Sequence, residues 1–512
     1  MAAARSEAAW LDEARLRILR GQWQEVQLTL EQALAEYPGS KALRRAQAAA
    51  LQQAGRKREA ESLLQALLET DPADSATAFA LARLLADQGR VAAAAAAIRR
   101  CLAGEAHRND ADLAIAAIEL LDDCDRKRDA ADVAAAAIAV HPDDARLHAY
   151  AGMLQIQMGD FEMARRHYRF ALEHDARAWE WHVPIGLSST QRYRDHAHAD
   201  FASFEDGLRR GGLSDKARAE LHFALGKAYD DVGRYAEAAQ HFRDGNAILH
   251  RLTAWSRKAW RRAMEARLAA APFTHPAEPA AGFNPVFIVG IPRSGTTLLA
   301  ELLSLRPGVC NRGELPWLAH LAMQPDLSGQ PDAAALQRAA ATYIAHARRD
   351  DAGDARWFID KQPLNFRYLD LLFAMFPGAR VIHCQRGARD TALSLWTQCF
   401  LEDVQGYSYD FNDIALVMHD CARLMAHWCK WFPDSIRNVR YEDLASDPDC
   451  VLAALAAWIG LPATAAGGGV PVPTAISSAS LWQARQPVHT RSVNRAERYL
   501  PFVPELARWS AS

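Results

Sequence analysis

The chain has 512 residues, 50% of them hydrophobic and 24% charged, with a formal net charge of −3. That length exceeds what one hydrophobic core serves and calls for at least two domains. The near-neutral charge gives no bulk electrostatic case for a nucleic-acid partner, and no run of about 18 apolar residues is present to span a membrane.

The first half is helical in composition, rich in Ala, Leu, Arg and Glu over residues 8–250. Gly21, Gly55 and Gly89 stand 34 residues apart, and Gly159 follows after a further 70. Five residues after each comes a small side chain: Val26, Ala60, Ala94 and Ala164. Gly233 with Ala238 repeats the pair, and Asp125 with Ala130 is a degenerate copy. Pro38 and Pro72 mark outer turns. This period is the mark of helix–turn–helix repeats stacked into a solenoid, about seven units long. Glycine fits the tight turn within each unit, and the small residue lets paired helices cross closely. The unit from Trp179 to Leu213 is irregular, with Pro184 inside it and Tyr193 where the turn glycine would fall. Such arrays present a concave surface to a peptide or protein. The alternative is that this one only scaffolds or dimerises the second domain.

Residues 269–284 break the helical pattern with prolines and read as a linker. Trp255, Trp260, Arg261 and Arg262, just before it, are expected in a closing helix. The expected domains are thus 1–268, a repeat solenoid, and 285–512, an α/β domain.

From residue 285, apolar runs alternate with helical stretches, which argues for a parallel sheet with helices on both faces. Val286–Val289 is the first strand. Gly290 to Gly295 is a turn, and Thr296 and Thr297 open a helix. A strand, a glycine-bounded loop and a helix aim backbone N–H groups and a helix dipole at an anion. The spacing Gly290-x4-Gly295 is that of a Walker A loop, but Thr296 stands where the lysine belongs. Arg293 lies inside the loop instead, and no clear acidic residue ends a strand to complete a magnesium site. That removes the ordinary ATPase or kinase reading. A second expected strand, 379–384, is followed by Arg386 and a helix over 390–400, where Asp390 is read as a cap. Two arginines at two strand ends suit a ligand with two separate anionic groups. Sulfuryl transfer from 3′-phosphoadenosine 5′-phosphosulfate meets these conditions, because the donor carries two phosphate groups and needs no metal.

Pro292-Arg293-Ser294-Gly295-Thr296-Thr297-Leu298 resembles the 5′-phosphosulfate loop of sulfotransferases. Over about 285–500 the chain looks similar to tyrosylprotein sulfotransferases, and the whole is similar to bacterial fusions of tetratricopeptide repeats to a sulfotransferase domain. The resemblance implies several roles. Arg293, Ser294, Gly295, Thr296 and Thr297 would bind the 5′-phosphosulfate. Arg386 and Ser394, eight apart, would hold the 3′-phosphate, and Tyr441 would meet the cofactor. Glu314, 21 residues after Arg293, falls where the family has its catalytic base. Lys361 matches a lysine that stabilises the transition state. Ser480 matches a serine in a late cofactor-covering segment that also carries Gln483 and Arg485, and Arg495 matches a further basic contact. One arginine of the tyrosylprotein enzymes falls at Gln398, which implies either a weaker 3′-phosphate grip or a charge supplied by Arg485 or Arg389.

Each role has a plainer alternative. Glu314 as a helix cap or surface ion pair, Lys361 as a strand-end lysine in solvent, and His320 as a rival base are the main ones. A carboxylate of pKa about 4.3 is a weak base for a hydroxyl, so Glu314 needs late proton transfer or burial. Trp396, Trp428, Trp431 and Trp458 read as core or as the wall of an acceptor cleft. A hydroxyl on a peptide, including tyrosine, a glycan or a small molecule is the expected acceptor. A repeat-based adaptor without catalysis and a P-loop phosphotransferase are the rivals.

The eight cysteines form no CxxC pair, which reads as reduced thiols. The opening MAAARSEAAWLDEARL has no apolar core of signal-peptide length. The expected location is the cytoplasm, with no metal, no membrane span and a homodimer compatible with the repeats.

Overall fold

The computed structural model describes residues 5–104, 107, 109–271, 273, 276–400, 403–462 and 490–510. The chain forms two compact units, one of residues 1–147 with 349–351 and one of residues 148–348 with 352–512.

Helices in the first unit come in pairs, beginning with Glu7–Leu19 and Trp23–Glu36 and continuing to Ala111–Asp123 and Lys127–Val140. Gly21, Gly55 and Gly89 occupy the tight turns with φ between +70° and +78°, a region open to glycine at no steric cost. Asp125 takes the same conformation at φ +59°, which a short polar side chain tolerates. Val26, Ala60, Ala94 and Ala130 are all buried where paired helices cross. The period is also written in helix caps. Ser6, Ser40, Asp74 and Asp110 each accept a backbone N–H three residues on, contributing about 1 kcal/mol apiece.

The second unit holds further helix pairs and a five-stranded sheet. Ala145–Met158, most of which lies in this unit, pairs with Phe161–His174 across Gly159, and Asp215–Asp231 pairs with Tyr235–Leu252 across Gly233. Between them the irregular unit is a short helix, Val183–Ser189, and a second, Ala199–Arg209. Tyr193 is buried in its connecting stretch and donates its hydroxyl to Asp200 at 2.7 Å. The closing helix is Arg257–Ala269; Trp260 lies in it and Trp255 precedes it.

The strands are β1 (Asn284–Gly290), β2 (Val309–Asn311), β3 (Trp357–Asp360), β4 (Arg380–Gln385) and β5 (Ile436–Arg440). All pairs are parallel, in the order β2-β3-β1-β4-β5. β1 is central, and after the exposed Asn284 it is apolar and buried because both its faces are covered. Val286 and Ile288 pack with Leu299, Leu303, Ile359, Ile382 and Val439 on one face. On the other, Phe287 meets the rings of Tyr343 and Phe376. Crossovers in such sheets bring the carboxyl ends of all strands to one edge, where ligands sit.

The helix expected over 390–400 is observed at Ala388–Trp396. Its end is fixed by Asn246 of helix Tyr235–Leu252, whose amide donates to the Trp396 carbonyl at 2.8 Å. Trp396 and Trp428 are core residues. Among the described residues no helix is long and apolar enough to cross a membrane.

Candidate active site

At the carboxyl end of β1 the chain makes the glycine-bounded turn that is expected to meet an anion. Gly290 has φ +144°, and a Cβ there would lie 2.4 Å from the Cys384 carbonyl oxygen on β4. Gly295 has φ +97°, and a Cβ there would lie 2.6 Å from the Tyr441 ring. Neither position admits a side chain without rebuilding the loop. Arg293 adopts φ +74°, a conformation that costs a non-glycine residue on the order of 1 kcal/mol. Helix Thr296–Ser304 starts directly after Gly295, so its N-terminal dipole faces the turn. Thr296 and Thr297 are buried in its first turn.

Arg293 and Arg386 converge although 93 residues separate them. Arg293 donates from Nε to Ser394 Oγ at 3.0 Å, and Arg386 donates from Nη1 to the Arg293 carbonyl at 3.0 Å. Arg386 also lies 4.9 Å above the Tyr441 ring. The expected 5′ and 3′ groups therefore form one continuous patch. Burial, with the charges of Arg386 and Arg495 beside it, pushes the Arg293 guanidinium down to about 10. Burial likewise lowers Arg386. Ser294 Oγ and Arg386 Nε are buried with no hydrogen-bond partner among the described residues. Two orphaned donors under a helix N-terminus fit a phosphate or phosphosulfate group.

Glu314 and Lys361 meet beside this patch. Glu314 follows β2 and Lys361 follows β3, and the two side chains form an ion pair. The cap of the next helix is Pro316, so Glu314 is not a helix cap. Lys361 is 3% exposed and does not reach into solvent. Its backbone N–H donates to the Gly313 carbonyl at 2.7 Å, locking the two loops together. Glu314 itself is exposed. His320 is exposed and lies against Trp317, with ring centroids 5.8 Å apart.

An acidic residue does end a strand, contrary to the sequence expectation. Asp360 closes β3, next to β1, where a magnesium-binding carboxylate of an NTPase would stand. Its oxygens are already engaged: Leu315 N–H donates to Oδ1 at 3.3 Å, and Tyr343 Oη and Asn365 Nδ2 donate to Oδ2 at 2.7 and 3.0 Å. Burial raises it to about 7. The donor set suits a structural clamp under Glu314 rather than a metal ligand. The apolar run Trp357-Phe358-Ile359 ending in an acid was the sequence signal for it.

That shift has a consequence for stability. A carboxyl group raised from 3.8 to about 7 on folding contributes stability that is complete below its unfolded value and lost as pH rises through the folded one. The melting temperature of wild type relative to Asp360→Asn is expected to fall between about pH 4 and 7. A difference that stays constant with pH would contradict the assignment.

Arg495 Nη2 donates to Asp230 at 2.9 Å. Asp390 does not cap its helix, whose N-cap is Gly387; it accepts from Asn494 and Ala496 N–H at 2.7 and 2.8 Å. Arg389 donates to Glu497 Oε1 and the Trp509 carbonyl, and its Nε is buried with no hydrogen-bond partner among the described residues. Glu442 accepts from Gly387 N–H at 2.8 Å; it and Asp230 carried no local sequence signal. Ser480, Gln483 and Arg485 lie outside the described residues. A cavity of about 770 Å³ opens beside Ser294 and Arg386, lined on its far side by Met418, Cys421 and Met425 of helix Phe411–Trp431.

Residues 285–465 match the model of the Sulfotransferase family, and residues 17–84 match that of the Tetratricopeptide repeat. An "Uncharacterized protein" of Aquifex aeolicus (strain VF5) is 30% identical over 238 residues, 43% of this chain and 31% of its own length. The nodulation protein NoeE of Sinorhizobium fredii is 34% identical over 128 residues, 21% of this chain and 30% of its own. The chain thus spans about a third of the length of the curated relatives it matches. Among solved structures, the sulfotransferase domain of the Synechococcus PCC 7002 olefin synthase aligns at 20% identity and a TM-score of 0.32, over 47% of this chain and 98% of that one. The chain therefore carries tetratricopeptide repeats in its N-terminal region and a sulfotransferase-family domain in its C-terminal region.

Proposed function

We propose that the protein transfers a sulfuryl group from 3′-phosphoadenosine 5′-phosphosulfate to an acceptor hydroxyl. The observation that carries this reading is the arrangement of one arginine-rich anion patch beside a carboxylate–ammonium pair. Arg293, Ser294, Gly295, Thr296 and Thr297 hold the 5′ end of the donor, and Arg386, Ser394 and Tyr441 hold its 3′-phosphate and nucleoside. The donor supplies an activated sulfuryl group whose leaving side is a phosphate oxygen.

Glu314 accepts the acceptor's proton as the new bond forms. Lys361 offsets charge that develops on the leaving oxygen, and its buried position keeps that charge away from water. Positioning supplies much of the remaining rate, because sulfuryl transfer asks little covalent chemistry of the protein. Ser480, in the segment over 463–489, is assigned to the same leaving side on resemblance alone. The acceptor class follows from the repeats: a peptide hydroxyl, with tyrosine the first to test.

A thermal-shift assay tests the donor. Stabilisation by adenosine 3′,5′-bisphosphate without metal is expected, and stabilisation only by Mg-ATP would reverse the reading in favour of a phosphotransferase. Response to neither would favour a repeat-based adaptor. Radiolabelled sulfate transfer into a lysate then identifies the acceptor.

A further inference from the structure

Three guanidinium groups gather at the anion patch, and like charges this close need a counter-charge when no anion is bound. Arg293 is held below its ordinary value by burial first and by Arg386 and Arg495 next; burial also lowers Arg386, with Asp390 and Tyr441 working against it. Arg495 is the exception. Burial works against its charge too, but Asp230, Tyr499 and Asp390 together outweigh burial.

Asp230 belongs to helix Asp215–Asp231, the first helix of a repeat pair. It accepts from Arg495 Nη2 at 2.9 Å and from the Tyr499 hydroxyl. The Arg495 guanidinium lies over the Tyr499 ring at 5.6 Å. The backbone that carries Arg495 is fastened separately, by Asp390 through Asn494 and Ala496. One carboxylate thus holds the backbone of Arg495 and another, from the repeats, holds its charge.

We infer that Asp230 is the resident counter-ion of Arg495 in the three-arginine site, where Asp390 stands 3.9 Å from Arg386, so that a repeat helix forms part of the donor-binding apparatus. An anionic ligand reaching the patch shares Arg495 with Asp230 and relieves the repulsion that Asp230 otherwise screens. The identity of that anion as a nucleotide phosphate rests on the proposed function; the counter-ion role does not.

The full-length Asp230→Asn variant tests this by melting temperature, free and with saturating adenosine 3′,5′-bisphosphate or inorganic phosphate at matched ionic strength. The free variant is expected to melt several degrees below wild type, and the anion is expected to close at least half of that gap. Asp231→Asn is the control. Its carboxylate pairs with Lys227 and accepts from Tyr193 N–H at 3.0 Å, and its gap should not respond to anion. The double variant Asp230→Asn/Arg495→Gln, with charge and counter-charge both gone, should recover stability without ligand. It keeps the test open if Asp230→Asn alone fails to fold. A gap indifferent to both anions, or a double variant no better than the single, would overturn the counter-ion role. If wild type ignores the bisphosphate while phosphate still closes the gap, the donor reading fails and the counter-ion stands.

Discussion

Glu314→Gln is expected to slow sulfuryl transfer by about 10²- to 10⁴-fold, the usual contribution of a positioned general base, while leaving bisphosphate binding unchanged. Glutamine keeps the shape of the side chain and an oxygen that accepts from Lys361. What it loses is the capacity to take a proton. The ion pair with Lys361 makes the prediction sharper. Because the two groups act as a unit, Glu314→Gln/Lys361→Ala should cost little more than the worse single change. A Glu314→Gln protein with wild-type kcat would end the base assignment.

Arg386→Ala is expected to weaken adenosine 3′,5′-bisphosphate binding by roughly 2–4 kcal/mol, or about 30- to 700-fold. Arg386 does three things at once. It ties the Arg293 carbonyl, donates to the Ser492 carbonyl at 2.6 Å, and covers the Tyr441 ring. Its Nε is left over for a ligand. Lysine cannot reproduce that planar fork, so Arg386→Lys should recover less than about a tenth of the lost affinity. The effect should appear in KM for the donor more than in kcat. Unaltered binding by isothermal titration would move the 3′-phosphate site away from β4.

Much of this was legible in the chain because it is local. The turn glycines and the small residues five positions later act within one helix pair, so their spacing survives in the sequence. The loop from Gly290 to Thr297 is likewise a local object, and Thr296 alone argued against the Walker chemistry. Pairings across the sheet are different. Glu314 and Lys361 are 47 residues apart, and only a family resemblance joined them. Asp360 escaped notice because a three-residue apolar run is a weak strand signal. Asp230 was out of reach altogether, since nothing in a repeat helix marks one of its aspartates as the partner of an arginine 265 residues on.

The closing helix Arg257–Ala269 bears on how this gene product can be divided. Arg267 meets the buried Asp370 at 2.8 Å, Arg257 meets the buried Asp413, and Trp260 donates to the buried Asp420 at 3.0 Å. A fragment cut at the proline-rich stretch would leave Asp370 and Asp413 buried without these arginines, each costing several kcal/mol, and would leave Asp420 with Arg423 but without the Trp260 donor. The sequence punctuation near residue 270 is thus not a usable seam. A C-terminal fragment that stays folded is therefore expected to begin upstream of it, with helix Arg257–Ala269 included.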